Sequence, residues 1–191
     1  VEFRDGKGNS RIYQIPAKSE MGQLVRLEKI PITEKDIKII TAIPASGKLE
    51  WVLEKGTELG ITHFLFTNFQ QSERKEINLQ RAHKIILNSC SQCKRERIPE
   101  IHFFPKVKEI FNEFTNLFYL HPYAKKDLEN LPYLQEGIPL IGPEGGFRNE
   151  EISEFEKNGL EGYKMGKNIL RIETAIIAIT TIFTYERNKS K

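Results

Sequence analysis

With 191 residues, 39% of them hydrophobic and 29% charged, the chain can bury one ordinary core and carry a small appendage. No apolar run reaches the roughly 18 residues of a membrane-spanning helix, and no signal-peptide pattern is present, so a membrane partner is not expected. Two cysteines cannot build a disulfide framework, which favours a reducing, cytoplasmic setting.

Residues 1–35 read as β structure. Asp5–Gly8 (D-G-K-G) is a hairpin-type turn, and Arg11–Pro16 and Gln23–Ile30 alternate loosely between apolar and polar residues. Three short strands bury little, so this is expected to be part of a small β module, incomplete at its start because the chain begins at Val1. From Asp36 the pattern changes to alternating strands and helices. Asp36–Ile43 is a compact apolar strand, Lys48–Leu59 a helix stopped by Gly60, and Ile61–Asn68 a second strand. A βαβ unit implies a parallel sheet. A helix from Asn78 to about Gln92 follows, then strand Ile101–Phe104, helix Val107–Phe114 and strand Leu117–Leu120. Leu128–Leu134 is weakly helical; Pro139–Ile141 is a strand, Ile152–Asn158 a helix and Tyr163–Met165 a last short strand. The final helix, Glu173 to about Arg187, is apolar over much of its circumference, so it is either enclosed or packed against another subunit.

Charge is unevenly spread. Gln71–Arg97 holds seven Lys/Arg against three Glu, a local surplus larger than the net +3 of the whole chain. Such a patch suits a polyanionic partner or a solvated helix face. Cys90 and Cys93 have C-x-x-C spacing, but no second Cys/His cluster accompanies them, so no metal is expected and the pair reads as two small residues on a helix or at its end.

The chemistry concentrates between Leu140 and Ala175. L-I-G-P-E-G-G-F-R-N-E-E reads as a buried strand, a glycine turn and a helix start, and M-G-K-N-I-L-R-I-E-T-A is a second glycine-punctuated loop opening the last helix. Asn149 is expected as an N-cap, with Glu150 and Glu151 in the first turn; those carboxylates disfavour phosphate there. In an α/β sheet, ligands sit beyond the carboxyl ends of the strands, so Leu120–Pro122, Gly142–Gly146 and Gly166–Arg171 are the candidate loops. Rossmann, zinc-protease and α/β-hydrolase signatures do not occur.

These two motifs resemble the paired cofactor motifs of the SPOUT methyltransferases, within which the chain is similar to the RsmE type, small-subunit ribosomal RNA uridine-N3 methyltransferases. L-E-W-V-L-E-K-G-T-E-L-G at Leu49–Gly60, S-Q-C-K-R-E-R-I-P-E-I at Ser91–Ile101 and D-G-K-G near the start extend the resemblance over nearly the whole chain. It implies an α/β domain over 36–191 with a C-terminal deep trefoil knot, preceded over 1–35 by part of a PUA-like β-barrel that binds RNA. It implies a homodimer, a ribosomal RNA or small-subunit partner, and S-adenosylmethionine as cofactor. By the same resemblance Leu120, His121, Ile141, Gly142, Glu144, Gly145, Met165, Gly166, Ile169 and Leu170 contact the cofactor. Arg171 is expected to stabilise the uracil anion or orient the base, and Glu173 to position Arg171, to help remove the proton, or to serve only as a helix N-terminal carboxylate. Gln92, Arg95, Arg97 and Arg148 are the candidates for RNA contact. Ile172 stands where the family usually has Thr, so no hydroxyl role falls there. A SPOUT enzyme with another RNA target and a non-catalytic RNA binder are the alternatives.

Overall fold

The computed structural model describes residues 2–17, 21–29, 31–32 and 34–189. Among them the first strands, β1 (Glu2–Arg4), β2 (Asn9–Gln14) and β3 (Gln23–Lys29), form an antiparallel sheet in that order. The Asp5 carboxylate ties the first turn by accepting from the N–H groups of Lys7 and Asn9 at 2.8 and 3.0 Å, while Gly6 and Gly8 take positive φ. A Cβ on Gly6 would lie 2.3 Å from Ile98, so this turn packs closely on the rest of the molecule. The sheet has little cover of its own: Phe3, Val25 and Leu27 are all more than half exposed.

The second sheet holds the core. Its strands are β4 (Lys38–Thr41), β5 (His63–Thr67), β6 (Glu100–Phe104), β7 (Leu117–Leu120), β8 (Lys126–Asp127), β9 (Ile138–Ile141) and β10 (Glu161–Lys164). They run parallel throughout, in the order β6-β5-β4-β9-β7-β10-β8. The helices are α1 (Ser46–Leu59), α2 (Leu79–Cys93), α3 (Val107–Glu113), α4 (Asn149–Lys157) and α5 (Ile172–Lys189). Successive side chains on a strand point to opposite faces. Phe118 of β7 meets Phe183 of α5, and its neighbour Tyr119 meets Phe155 of α4, so these two helices cover opposite faces of the sheet.

Local chemistry ends the elements as the sequence suggests. Gly60 closes α1 in the left-handed region at φ +105°, and the Asn78 side chain caps α2 by accepting from Arg81 N–H at 3.0 Å. The last helix buries Ile176, Ile179 and Phe183 fully but leaves Thr181 and Tyr185 exposed, so it is enclosed along one side only. Near its end Arg187 is buried and donates to the main-chain carbonyls of Gln135 and Asp36.

Two expectations are corrected. Leu128–Leu134 is not a helix: Leu128–Asn130 makes one 3₁₀ turn, Pro132 interrupts, and the preceding Lys126–Asp127 pairs with β10 as an edge strand. The α4 N-cap is Arg148 rather than Asn149, because Glu151 reaches back to accept from the Arg148 N–H at 2.9 Å.

Candidate active site

The register of three adjacent strands sets the site. Leu120 pairs with Ile141 on one side and Tyr163 on the other, so β9, β7 and β10 end level and release their loops at the same height. Those loops surround one cavity of about 530 Å³, within the roughly 300–1,000 Å³ range of small-molecule sites. Leu120, His121, Ile141, Gly142, Glu144, Gly145, Met165, Gly166, Ile169, Leu170 and Arg171 all line it.

Main-chain geometry shapes the cavity. Gly142 passes over the ring of Phe147, where a Cβ would come within 3.1 Å. Phe147 is itself buried in an aromatic cluster, its ring 5.0 Å from those of Phe69 and Phe155. Gly146 and Gly166, at φ +75° and +152°, present backbone with no atom within 4 Å of where a Cβ would stand. Apolar side chains and exposed peptide groups thus share the lining, and basic residues there are limited to Lys164 and Arg171.

A clasp holds the glycine loop from outside. Gln71 donates from Nε2 to the carbonyl of Gly145 at 2.8 Å, and Glu151, 5% exposed, accepts from the N–H of Gln70 at 2.8 Å. Thus one carboxylate caps α4 and also anchors the chain after β5. The sequence marks Glu151 as a first-turn carboxylate of the helix; its pairing with a residue some eighty positions earlier leaves no local signal.

His121 follows β7, its N–H bonded to the carbonyl of Tyr163 at 2.9 Å, and burial lowers its imidazole pKa below the ordinary value. Arg171 is exposed, and its carbonyl accepts the first bond of α5, from Ala175 N–H. Glu173 is not in the lining, though Ile172 and Ala175 are: it faces α1, with Oε1 3.3 Å from Lys48 Nζ. Its other oxygen is buried without a hydrogen-bond partner among the described residues.

The sequence pattern of the RNA methyltransferase domain family matches residues 32–184, which includes all of these loops. The chain belongs to that family. It is 32% identical over 153 residues to the ribosomal RNA small subunit methyltransferase E of Mesomycoplasma hyopneumoniae, covering 76% of this chain and 67% of the relative. Identity to the protein of the same name from Buchnera aphidicola is 32% over 153 residues, covering 73% of this chain and 61% of that one. The chain therefore spans roughly two thirds of the length of these relatives. The fold matches, with TM-score 0.83 and 20% identity, a Neisseria gonorrhoeae ribosomal RNA small subunit methyltransferase E bound to S-adenosylmethionine; the match covers 97% of this chain and 82% of that one.

For a member of the RNA methyltransferase domain family, the cavity passes a direct test of fit to that nucleoside. Adenine needs apolar walls with main-chain donors and acceptors, which Leu120, Ile141, Met165 and the open backbone at Gly146 and Gly166 supply. Burial biases His121 toward its neutral form, which leaves Lys164 and Arg171 as the lining's cations beside a sulfonium.

Of the residues expected at RNA, Arg95 is a correction. Its side chain is 5% exposed and its guanidinium donates to the carbonyls of Thr57, Gly60 and Ile61 and to the Glu34 carboxylate. It ties off the end of α1 instead of facing a partner. Arg97 is held by Asp36 at 2.6 Å, and both residues lie at the amino-terminal end of the strands, away from the cavity. Gln92 is exposed at the end of α2, and Arg148 is exposed beside the glycine loop. Cys90 and Cys93 both lie on α2; burial pushes the Cys90 thiol up to about 11, which suits packing rather than redox work. Among the described residues no group of three His, Cys, Asp or Glu could hold a metal, and no helix is long and apolar enough to cross a membrane.

Proposed function

We propose that this chain transfers a methyl group from S-adenosylmethionine to N3 of a uridine in small-subunit ribosomal RNA. The observation that carries the reading is the convergence of the three strand-end loops on one apolar, peptide-lined cavity in a chain of this family. Both relatives are named for methylation of the small ribosomal subunit RNA, and a protein of the same fold binds S-adenosylmethionine.

The cofactor supplies an electrophilic methyl group on a sulfonium. Leu120, Ile141, Met165, Ile169 and Leu170 would wall the nucleoside, with His121, Gly142, Glu144, Gly145 and Gly166 offering polar and main-chain contacts. Uracil N3 carries a proton that must leave as the N–C bond forms and the C–S bond breaks. Arg171, exposed on the cavity lining, would stabilise the imide anion and orient the base. Glu173, two residues on, would hold Arg171 in place or receive the proton.

The reading includes a domain division into 1–35 and 36–191, the first being part of a PUA-like barrel that meets RNA together with Gln92, Arg97 and Arg148. It includes a homodimer acting in the cytoplasm on the small ribosomal subunit. It also includes a C-terminal trefoil knot in the α/β domain. The test is methyl transfer from labelled S-adenosylmethionine to unmodified small subunits, followed by nuclease digestion and mass spectrometry of the nucleosides. N3-methyluridine is expected. Label in another nucleoside would replace the target, and no label despite cofactor binding would favour a non-catalytic RNA binder.

A further inference from the structure

Helices α1 and α5 pack against each other, and their first turns meet beside the cavity. Each helix start carries a partial positive charge from its unpaired N–H groups. Helix α1 has no acidic residue in its first turn and no side-chain cap, so Glu173 in the first turn of α5 is the carboxylate that this junction offers. Lys48, in the first turn of α1, approaches one Glu173 oxygen at 3.3 Å. Glu173 is 15% exposed at its side chain, and its second oxygen is buried with no hydrogen-bond donor among the described residues. Lys48 is itself 35% exposed, so the pair is only partly buried, but with one oxygen enclosed and unpaired the carboxylate has this ammonium as its compensating cation.

The same turn aims the site. Arg171 immediately precedes it, and Ile172 and Ala175 on either side of Glu173 line the cavity. Any rotation of the first turn of α5 therefore moves Arg171 and the floor of the cavity together. We propose that Lys48 is a positioning residue for methyl transfer: its ammonium clamps Glu173 and so holds the turn from which Arg171 reaches the substrate. This inference rests on the methyl-transfer reading above. Lys48 does not line the cavity and acts through Glu173.

The experiment measures kcat, KM for unmodified small subunits, cofactor Kd by calorimetry and melting temperature for wild type, Lys48→Met and Lys48→Arg. Lys48→Met is expected to lower kcat about 100-fold, the scale of a small misplacement of a reacting group. Cofactor Kd should stay at the wild-type value, and Lys48→Arg, which keeps the charge, should recover most of the loss. If Lys48→Met does not fold, Lys48→Gln takes its place, since it retains an N–H donor toward Glu173 without the charge. Wild-type kcat in the uncharged variant would overturn the proposal. So would a kcat loss matched by an equal loss of cofactor affinity, or one that Lys48→Arg does not relieve, because a purely structural staple would behave so. A wild-type protein that binds no cofactor and transfers no methyl would instead sink the functional reading, and this inference with it.

Discussion

Arg171 ends the second glycine loop immediately before α5, its carbonyl accepts from Ala175 N–H in the first turn, and its side chain lines the cavity. Arg171→Ala should lower kcat by about 10²–10³-fold, the usual cost of removing one preorganised charge-stabilising donor. Cofactor Kd should be unchanged, which stopped-assay kinetics beside calorimetry would read. His121 makes a second test. Burial lowers its folded pKa, so the ring is neutral above the ordinary value of about 6.5 and gains its proton only below that. Protonation would set a cation against a cationic sulfonium. Cofactor affinity should therefore be flat from about pH 8 to pH 6.5 and weaken below, with the limb absent in His121→Asn. The same sign holds for stability. Burial also lowers the pKa of His63, so both rings contribute stability that is complete above the ordinary histidine pKa and fades as pH falls toward the folded values.

At the level of elements, the ends of the helices are where sequence reading succeeds and fails for distinct reasons. The stop of α1 was legible because Gly60 is the residue that takes φ +105° without strain. What finishes that end was not legible: Arg95, from the turn after α2, donates to three carbonyls there and pairs with Glu34. An arginine in a basic run reads as a surface cation until burial is known. Arg95→Ala should cost about 3 kcal/mol of stability, since it strands a partly buried carboxylate and leaves helix-end carbonyls unpaired. Urea unfolding monitored by circular dichroism would measure it, and a change below about 0.5 kcal/mol would return Arg95 to the ordinary run of surface residues. Strand β8 leaves no mark in the sequence: two residues, Lys126 and Asp127, carry no periodicity and are strand only because β10 lies beside them.

Across the whole molecule, the sheet is assembled from distant pieces. Ile40 pairs with Leu140, and β10 enters between two strands that precede it in the chain. Non-local parallel pairing pays loop-closure entropy before it gains contacts, so refolding should be slow. Trp51, the chain's single tryptophan and 43% exposed on α1, provides the fluorescence probe. Stopped-flow refolding from urea should show its main phase at seconds or longer, and completion within about a millisecond would contradict rate-limiting long-range pairing.

The chain's own order of residues determined the alternation of strands and helices, the parallel sheet, the three strand-end loops, two of them glycine-bearing, and the set of residues around them. Those features are local: periodicity, a missing Cβ or a helix stop is written within a few positions. Only the tertiary structure decided that β9, β7 and β10 end level, that Gln71 and Glu151 clasp the glycine loop, and that Arg95 is a buried brace. It also decided that Lys48 faces Glu173 across two helix starts. Each of these joins residues far apart in the chain, and register, burial and the compensation of charge exist only once the sheet has brought them together.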